Sequence, residues 1–167
     1  NFFKYNRISF MWRFFYTSLM YLIQPLVLLF MWLRGFKAPN YRKRLSERYG
    51  FYASLTPPKA GGIVIHAASV GEVIAATPLV QKLQQNYPHL PITFTTVTPT
   101  GSDRVKAAFG DSVFHCYLPY DIPCAINRFI DFVQPKLCIV IETELWPNLI
   151  QQFYRRDIPF VVANARL

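Results

Sequence analysis

The sequence is poor in acid and poor in glycine. Nine Asp and Glu stand against eighteen Lys and Arg, and seven glycines are scattered through 167 residues. Neither G-x-G-x-x-G nor G-x-x-x-x-G-K-[ST] occurs, which argues against nucleotide binding by either glycine-rich phosphate loop. The three cysteines, Cys116, Cys124 and Cys138, form no C-x-x-C pair and lie in apolar stretches. That excludes a disulfide framework and predicts reduced core thiols in a cytoplasmic domain. His66, His89 and His115 have no metal-ligand spacing, so neither a metal nor another cofactor is expected.

The positive charge is confined to one end. Residues 1–62 hold ten basic side chains against Glu47 alone, while residues 63–167 hold eight of each sign. A nucleic-acid binder spreads Lys and Arg over the folded surface that follows the phosphates. Here the larger part is neutral, so no nucleic-acid partner is expected. Basic clusters beside an apolar segment suit anionic lipid headgroups instead.

That apolar segment is Phe14 to Leu33, which has no charged residue. As a helix it rises about 30 Å, the thickness of a bilayer's hydrocarbon core. Gln24 and Pro25 interrupt it, and Trp12 and Trp32 sit at its ends as an interface belt would place them. One membrane-anchor helix is predicted within residues 1–35, spanning the inner membrane or lying in its interface. The denser basic residues after Leu33 put the remainder on the cytoplasmic side. Met11 reads as a natural start, with residues 1–10 an upstream extension. Residues 36–62 read as a basic linker, ending in the turn-rich run Thr56-Pro57-Pro58-Lys59-Ala60-Gly61-Gly62.

From residue 63 to 167 short apolar runs alternate with helical patterns. Strands are predicted at 63–66, 92–96, 113–118, 137–141 and 160–163, and helices at 71–86, 102–109, 123–133 and 149–156. Five strands and four helices in alternation predict an α/β domain, a Rossmann-like parallel sheet with helices on both faces. Such sheets bind ligands beyond the carboxyl ends of their strands. The unusual residues gather there: Ser69, Gly71 and Glu72 after the first strand, Thr98 and Thr100 after the second. Pro119-Tyr120-Asp121 follows the third, Glu142, Glu144 and Trp146 the fourth, and Asn164 and Arg166 the fifth.

Ser69-x-x-Glu72 is also a helix capping box, in which Glu72 reaches back to the chain that precedes it. A carboxylate at that edge can equally take a proton from an incoming hydroxyl, and Gly71 would leave room for it. Glu142 and Glu144 would share one face on a continuing strand, or stand in a solvated loop.

Taken in order, these runs resemble the Kdo (3-deoxy-manno-octulosonic acid) transferase family. They are Ile65-His66-Ala67-Ala68-Ser69-Val70-Gly71-Glu72-Val73, Thr95-Thr96-Val97-Thr98-Pro99-Thr100-Gly101 and Tyr117-Leu118-Pro119-Tyr120-Asp121, then Glu142-Thr143-Glu144-Leu145-Trp146-Pro147-Asn148 and Asn164-Ala165-Arg166-Leu167. The resemblance implies the acceptor-binding half of a GT-B glycosyltransferase that moves Kdo from CMP-Kdo to the lipid A disaccharide precursor, lipid IVA, with inversion. It implies Glu72 as general base and Glu142 as a transition-state aid. Substrate contacts would come from Ser69, Gly71, Thr98, Thr100, Glu144, Asn164 and Arg166. Arg42, Lys43, Arg44 and Arg48 would meet membrane or acceptor phosphates. CMP-Kdo would bind mainly a second, carboxyl-terminal domain expected after Leu167, and residues 1–167 alone are expected to be inactive. The alternatives are another membrane-associated glycosyltransferase acting on a lipid-linked sugar, a non-catalytic lipid-binding domain, or a two-carboxylate glycoside hydrolase.

Overall fold

The computed structural model describes the backbone of residues 2–142 and 144–163, and side chains from residue 11 onward within those spans. Two helices lead, α1 (Phe2–Leu22) and α2 (Gln24–Lys37). Then β1 (Ile63–His66), α3 (Val70–Asn86), β2 (Ile92–Thr96), α4 (Pro99–Phe109) and β3 (Phe114–Tyr117) follow in alternation. The series closes with α5 (Pro123–Val133), β4 (Leu137–Ile141), α6 (Pro147–Arg155) and β5 (Phe160–Ala163). All pairings are parallel, in the order β3-β2-β1-β4-β5. The direction of winding reverses between β1 and β4, so a crevice is expected at their carboxyl ends.

Side chains alternate across the sheet and fill two cores. Val64, Cys116, Cys138 and Val140 meet Phe129, Ile130, Leu149 and Phe153 of α5 and α6 on one face. Ile63, Ile65 and Phe94 meet Val73, Val80 and Val105 of α3 and α4 on the other. Helices α4 and α6 begin earlier than the apolar spacing suggests, at Pro99 and Pro147. Proline suits the first turn, where its missing N–H has no helical partner to lose. Cys116 and Cys138 are buried as expected, and burial pushes both thiols up. Cys124 departs from the expectation: it is exposed on α5, where its Sγ accepts from Tyr21 Oη at 3.3 Å.

The basic segment before β1 is folded onto the sheet. Strand β3 is an edge, with backbone groups free on one side. Glu47, 1% exposed, answers that edge: its Oε2 accepts the Tyr117 N–H at 3.0 Å. The Arg44 guanidinium grips both Glu47 oxygens and donates to Ser102 Oγ at 3.1 Å. The Arg48 guanidinium is buried over the Tyr117 ring and donates to the Val97 carbonyl at 2.9 Å.

The amino-terminal segment also departs from the expectation of one anchor helix. No single helix among the described residues is long and apolar enough to cross a membrane. Met11–Leu22 and Gln24–Lys37 together meet that length and composition, but bent by about 40°. The break lies where the sequence reads Gln24-Pro25. Pro25 has no N–H for the preceding turn, and beside it Gln24 Nε2 donates to the Met20 carbonyl at 2.7 Å. Tyr49 Oη then donates to Gln24 Oε1 at 3.1 Å, tying the bend to the domain. Polar side chains fasten α1 as well: Tyr16 donates to Asp121 and Thr17 to Asn148, each at 2.8 Å. The other sides of the two helices expose Trp12, Phe15, Leu22, Leu26, Phe30 and Trp32, each more than half uncovered.

Candidate active site

The loop after β1 is built around a carboxylate. Ser69 is the N-cap of α3, and its Oγ accepts the Glu72 N–H at 3.3 Å. Glu72 folds back: Oε2 accepts the Ala68 N–H at 2.7 Å and Oε1 accepts the Ser69 hydroxyl at 2.8 Å. This is a variant of the capping box, in which Glu72 reaches past the Ser69 N–H to that of Ala68. It uses two of about four acceptor sites on the carboxylate, so lone pairs remain for an incoming hydroxyl. Glu72 itself is 7% exposed, while Ser69 and Gly71 beside it lie open to solvent. A Cβ built on Gly71 would meet only Ser69 Oγ, at 3.8 Å. The glycine is thus not required by local packing, and it leaves the approach to Glu72 clear.

The loop after β4 stands alongside, because β1 and β4 are paired neighbours with His66 opposite Val140. Strand β4 ends at Ile141, and Glu142 takes φ 61°, a left-handed conformation. A non-glycine residue held there costs roughly 1 kcal/mol, and such strain concentrates at functional sites. The turn also means that Glu142 and Glu144 are not consecutive same-face residues of one strand, as a continuing strand would have made them. Glu142 is half-buried, and its N–H donates to the Ala163 carbonyl at 2.8 Å. Glu144 Oε2 accepts from Trp146 Nε1 at 2.8 Å, and the Trp146 ring stands edge-on to His66, centroids 5.8 Å apart. Trp146 thereby pins the β4 loop to the end of β1. Among the described residues no hydrogen bond joins Glu72 to Glu142 or Glu144.

The other candidates divide. Thr98 is the N-cap of α4 and accepts from Gly101 N at 3.1 Å, while Thr100 is exposed in the first turn of α4. Asn164 and Arg166 lie outside the described residues. Arg42 and Lys43 are exposed, and Arg44 and Arg48 are turned inward as above. Lys43 and Arg44 line a recess of about 200 Å³ with Asn40, Ser102, Lys106 and Tyr117. Lys106 was not legible as a site residue, because on the sequence it is one more solvent-facing helix charge.

Comparison with known proteins decides the family. The family description "3-Deoxy-D-manno-octulosonic-acid transferase (kdotransferase)" matches residues 43–167. The chain belongs to this transferase family. A 3-deoxy-D-manno-octulosonic acid transferase of Haemophilus influenzae is 71% identical over 94% of this chain and 37% of its own length. A probable mitochondrial 3-deoxy-D-manno-octulosonic acid transferase of Arabidopsis thaliana is 34% identical over 91% of the chain and 34% of its own length. One from Bordetella pertussis is 33% identical over 90% and 36%. The chain thus spans little more than a third of the length of these Kdo transferases.

Two buried polar groups, His66 and Asp121, stand beside the site in this Kdo transferase chain, and neither had a specific role legible in the sequence. His66 is fully buried, with Nδ1 3.0 Å from Thr95 Oγ1 and no partner for Nε2 among the described residues. Burial pushes its pKa down to about 4, against the Thr95 contact, so the ring is neutral at pH 7. Asp121 caps α6, accepting the Leu149 N–H at 2.8 Å and the Asn148 N–H at 3.1 Å, and so fixes the helix that follows the β4 loop. Burial raises the Asp121 pKa, opposed by Tyr16 and these two N–H groups.

Proposed function

We propose that this chain is the acceptor-binding part of an enzyme that transfers Kdo from CMP-Kdo to the lipid A disaccharide precursor, lipid IVA, in lipopolysaccharide synthesis. Membership of the Kdo transferase family supports the sugar and the reaction type. The observation that carries the mechanism is Glu72, fixed by two hydrogen bonds beside open space at Gly71, at the crevice between β1 and β4. A 6′-hydroxyl of the acceptor gives its proton to Glu72 as its oxygen attacks the anomeric carbon of Kdo. The bond from that carbon to the CMP phosphate breaks, and CMP leaves from the opposite face with the bonding pair, inverting the centre. Such general-base help is worth about 10² to 10⁴ in rate. Glu142 and Glu144, on the neighbouring loop, assist the developing charge and orient the substrate.

Lys43 and Lys106 offer the acceptor phosphates two cations at a recess that Asp103 also lines, while Arg44 is held by Glu47. CMP-Kdo is bound mainly by a second, GT-B-type lobe of the longer protein. The bent pair α1 and α2 seats the domain on the cytoplasmic face of the inner membrane. An interfacial seat is favoured over a spanning one. Tyr16, Thr17 and Gln24 hold the pair against the domain on one side, and the aromatic and aliphatic side chains are free on the other. Incubating the full-length enzyme with CMP-Kdo and lipid IVA tests the reading by mass spectrometry. An acceptor heavier by Kdo is expected. Unchanged acceptor, or free Kdo without transfer, would reject it.

A further inference from the structure

A recess of about 190 Å³ lies in the seam between α1 and α6, outside the candidate active site. It is lined by Arg13, Thr17, Asn148, Gln151, Gln152 and Arg155, with Phe14 and Pro123. Every polar group in that lining is neutral or cationic. The two arginines come from different elements and line the same recess; burial first, and then the Arg155 charge, lowers the Arg13 pKa. The Arg13 Nε–H is buried and has no partner among the described residues.

The acids give no relief. Ion pairs among the described residues join Arg44 to Glu47 and Arg156 to Asp131. Asp121, the carboxylate on this seam, spends its oxygens on Tyr16, Asn148 and Leu149. Arg155 is exposed, so water screens the two charges, but the buried Arg13 Nε–H still wants an acceptor, which an anion would supply. Beside the recess, Trp12, Phe14 and Phe15 are 71%, 62% and 61% exposed. An acyl chain could follow that apolar surface, which a free ion would not need.

We propose that Arg13 and Arg155 clasp the phosphate of an anionic phospholipid headgroup, locking the α1–α6 seam to the membrane surface. The inference does not rest on the transfer chemistry, and its test contains no sugar donor or acceptor. Full-length protein is floated with vesicles of phosphatidylcholine alone, or of equal parts phosphatidylcholine and phosphatidylglycerol. The wild type is expected to prefer the anionic vesicles, and Arg13→Gln/Arg155→Gln to lose about tenfold of that preference. Arg155→Gln alone, at an exposed side chain that leaves α6 packed, is expected to lose roughly threefold. Lys59→Gln/Arg104→Gln, which removes the same charge from exposed positions elsewhere, is expected to change it little. Equal loss in that control, or an unchanged preference in the Arg13/Arg155 variants, would overturn the proposal. Full competition by inorganic phosphate would overturn the lipid assignment and make the recess a site for free phosphate.

Discussion

At the scale of single residues, the cap and the proposed base are the same group. Glu72 closes its capping box with both carboxylate oxygens and still has acceptor capacity. A helix N-terminus thus holds a carboxylate in one place at little cost, which is what a general base needs. Gly71 supplies a separate probe. It lies inside α3 with room for a Cβ, and alanine is the better helix former by about 0.5–1 kcal/mol. Gly71→Ala should therefore unfold slightly later in denaturant while raising the acceptor KM several-fold. Unchanged kinetics would show that the opening is not the route to Glu72. The capping box was legible in Ser69-x-x-Glu72, and spacing alone could not separate a cap from a base. Left-handed Glu142 was not legible, because its φ depends on how β4 ends against β5.

At the scale of elements, the strands were legible because each is a short apolar run bounded by turn residues. Strands β1, β2, β4 and β5 fall where expected, and β3 is shorter by one residue at each end. The segment before β1 was not legible as part of the sheet domain. Its arginines read as a solvated basic run, and only the fold reveals that Glu47 is their partner and an edge strand their seat. Glu47→Ala removes the acceptor for both Arg44 and the Tyr117 N–H. Removing one partner of a buried pair costs about 3–5 kcal/mol. Arg44 keeps a quarter of its side chain in water, so about 2–3 kcal/mol is expected in urea unfolding. A change within about 0.5 kcal/mol would show that the segment does not brace the edge. The break at Gln24-Pro25 was visible in the sequence as an interruption. The fold adds what the interruption alone does not show, the contacts of Gln24 with the Met20 carbonyl and Tyr49.

At the scale of the whole molecule, the buried His66 and the half-buried His115 tie stability to pH. Burial holds His66 down to about 4, and burial with Arg44 and Lys106 holds His115 down to about 3. The unfolded chain takes up these protons near pH 6.5 and the folded chain does not. Stability is therefore fully present above about pH 6.5 and falls toward pH 4, by up to about 1.4 kcal/mol per pH unit for each imidazole. Asp121, whose pKa is raised, acts in the opposite sense in the acid range. Chemical unfolding from pH 7 to pH 5 should show the decline, and His66→Gln should flatten it by about half. A slope that His66→Gln leaves unaltered would contradict the burial argument.

The proposed proton transfer depends on Glu72, held at the carboxyl end of β1 beside the loop that follows β4. The most direct test is Glu72→Gln in the full-length enzyme, assayed for turnover with CMP-Kdo and lipid IVA. Glutamine can keep the contacts to Ala68 and Ser69 through its oxygen and amide, so the fold and the acceptor KM should change little. Turnover is expected to fall by about 10² to 10⁴; a variant that turns over at the wild-type rate would reduce Glu72 to a helix cap and contradict the account.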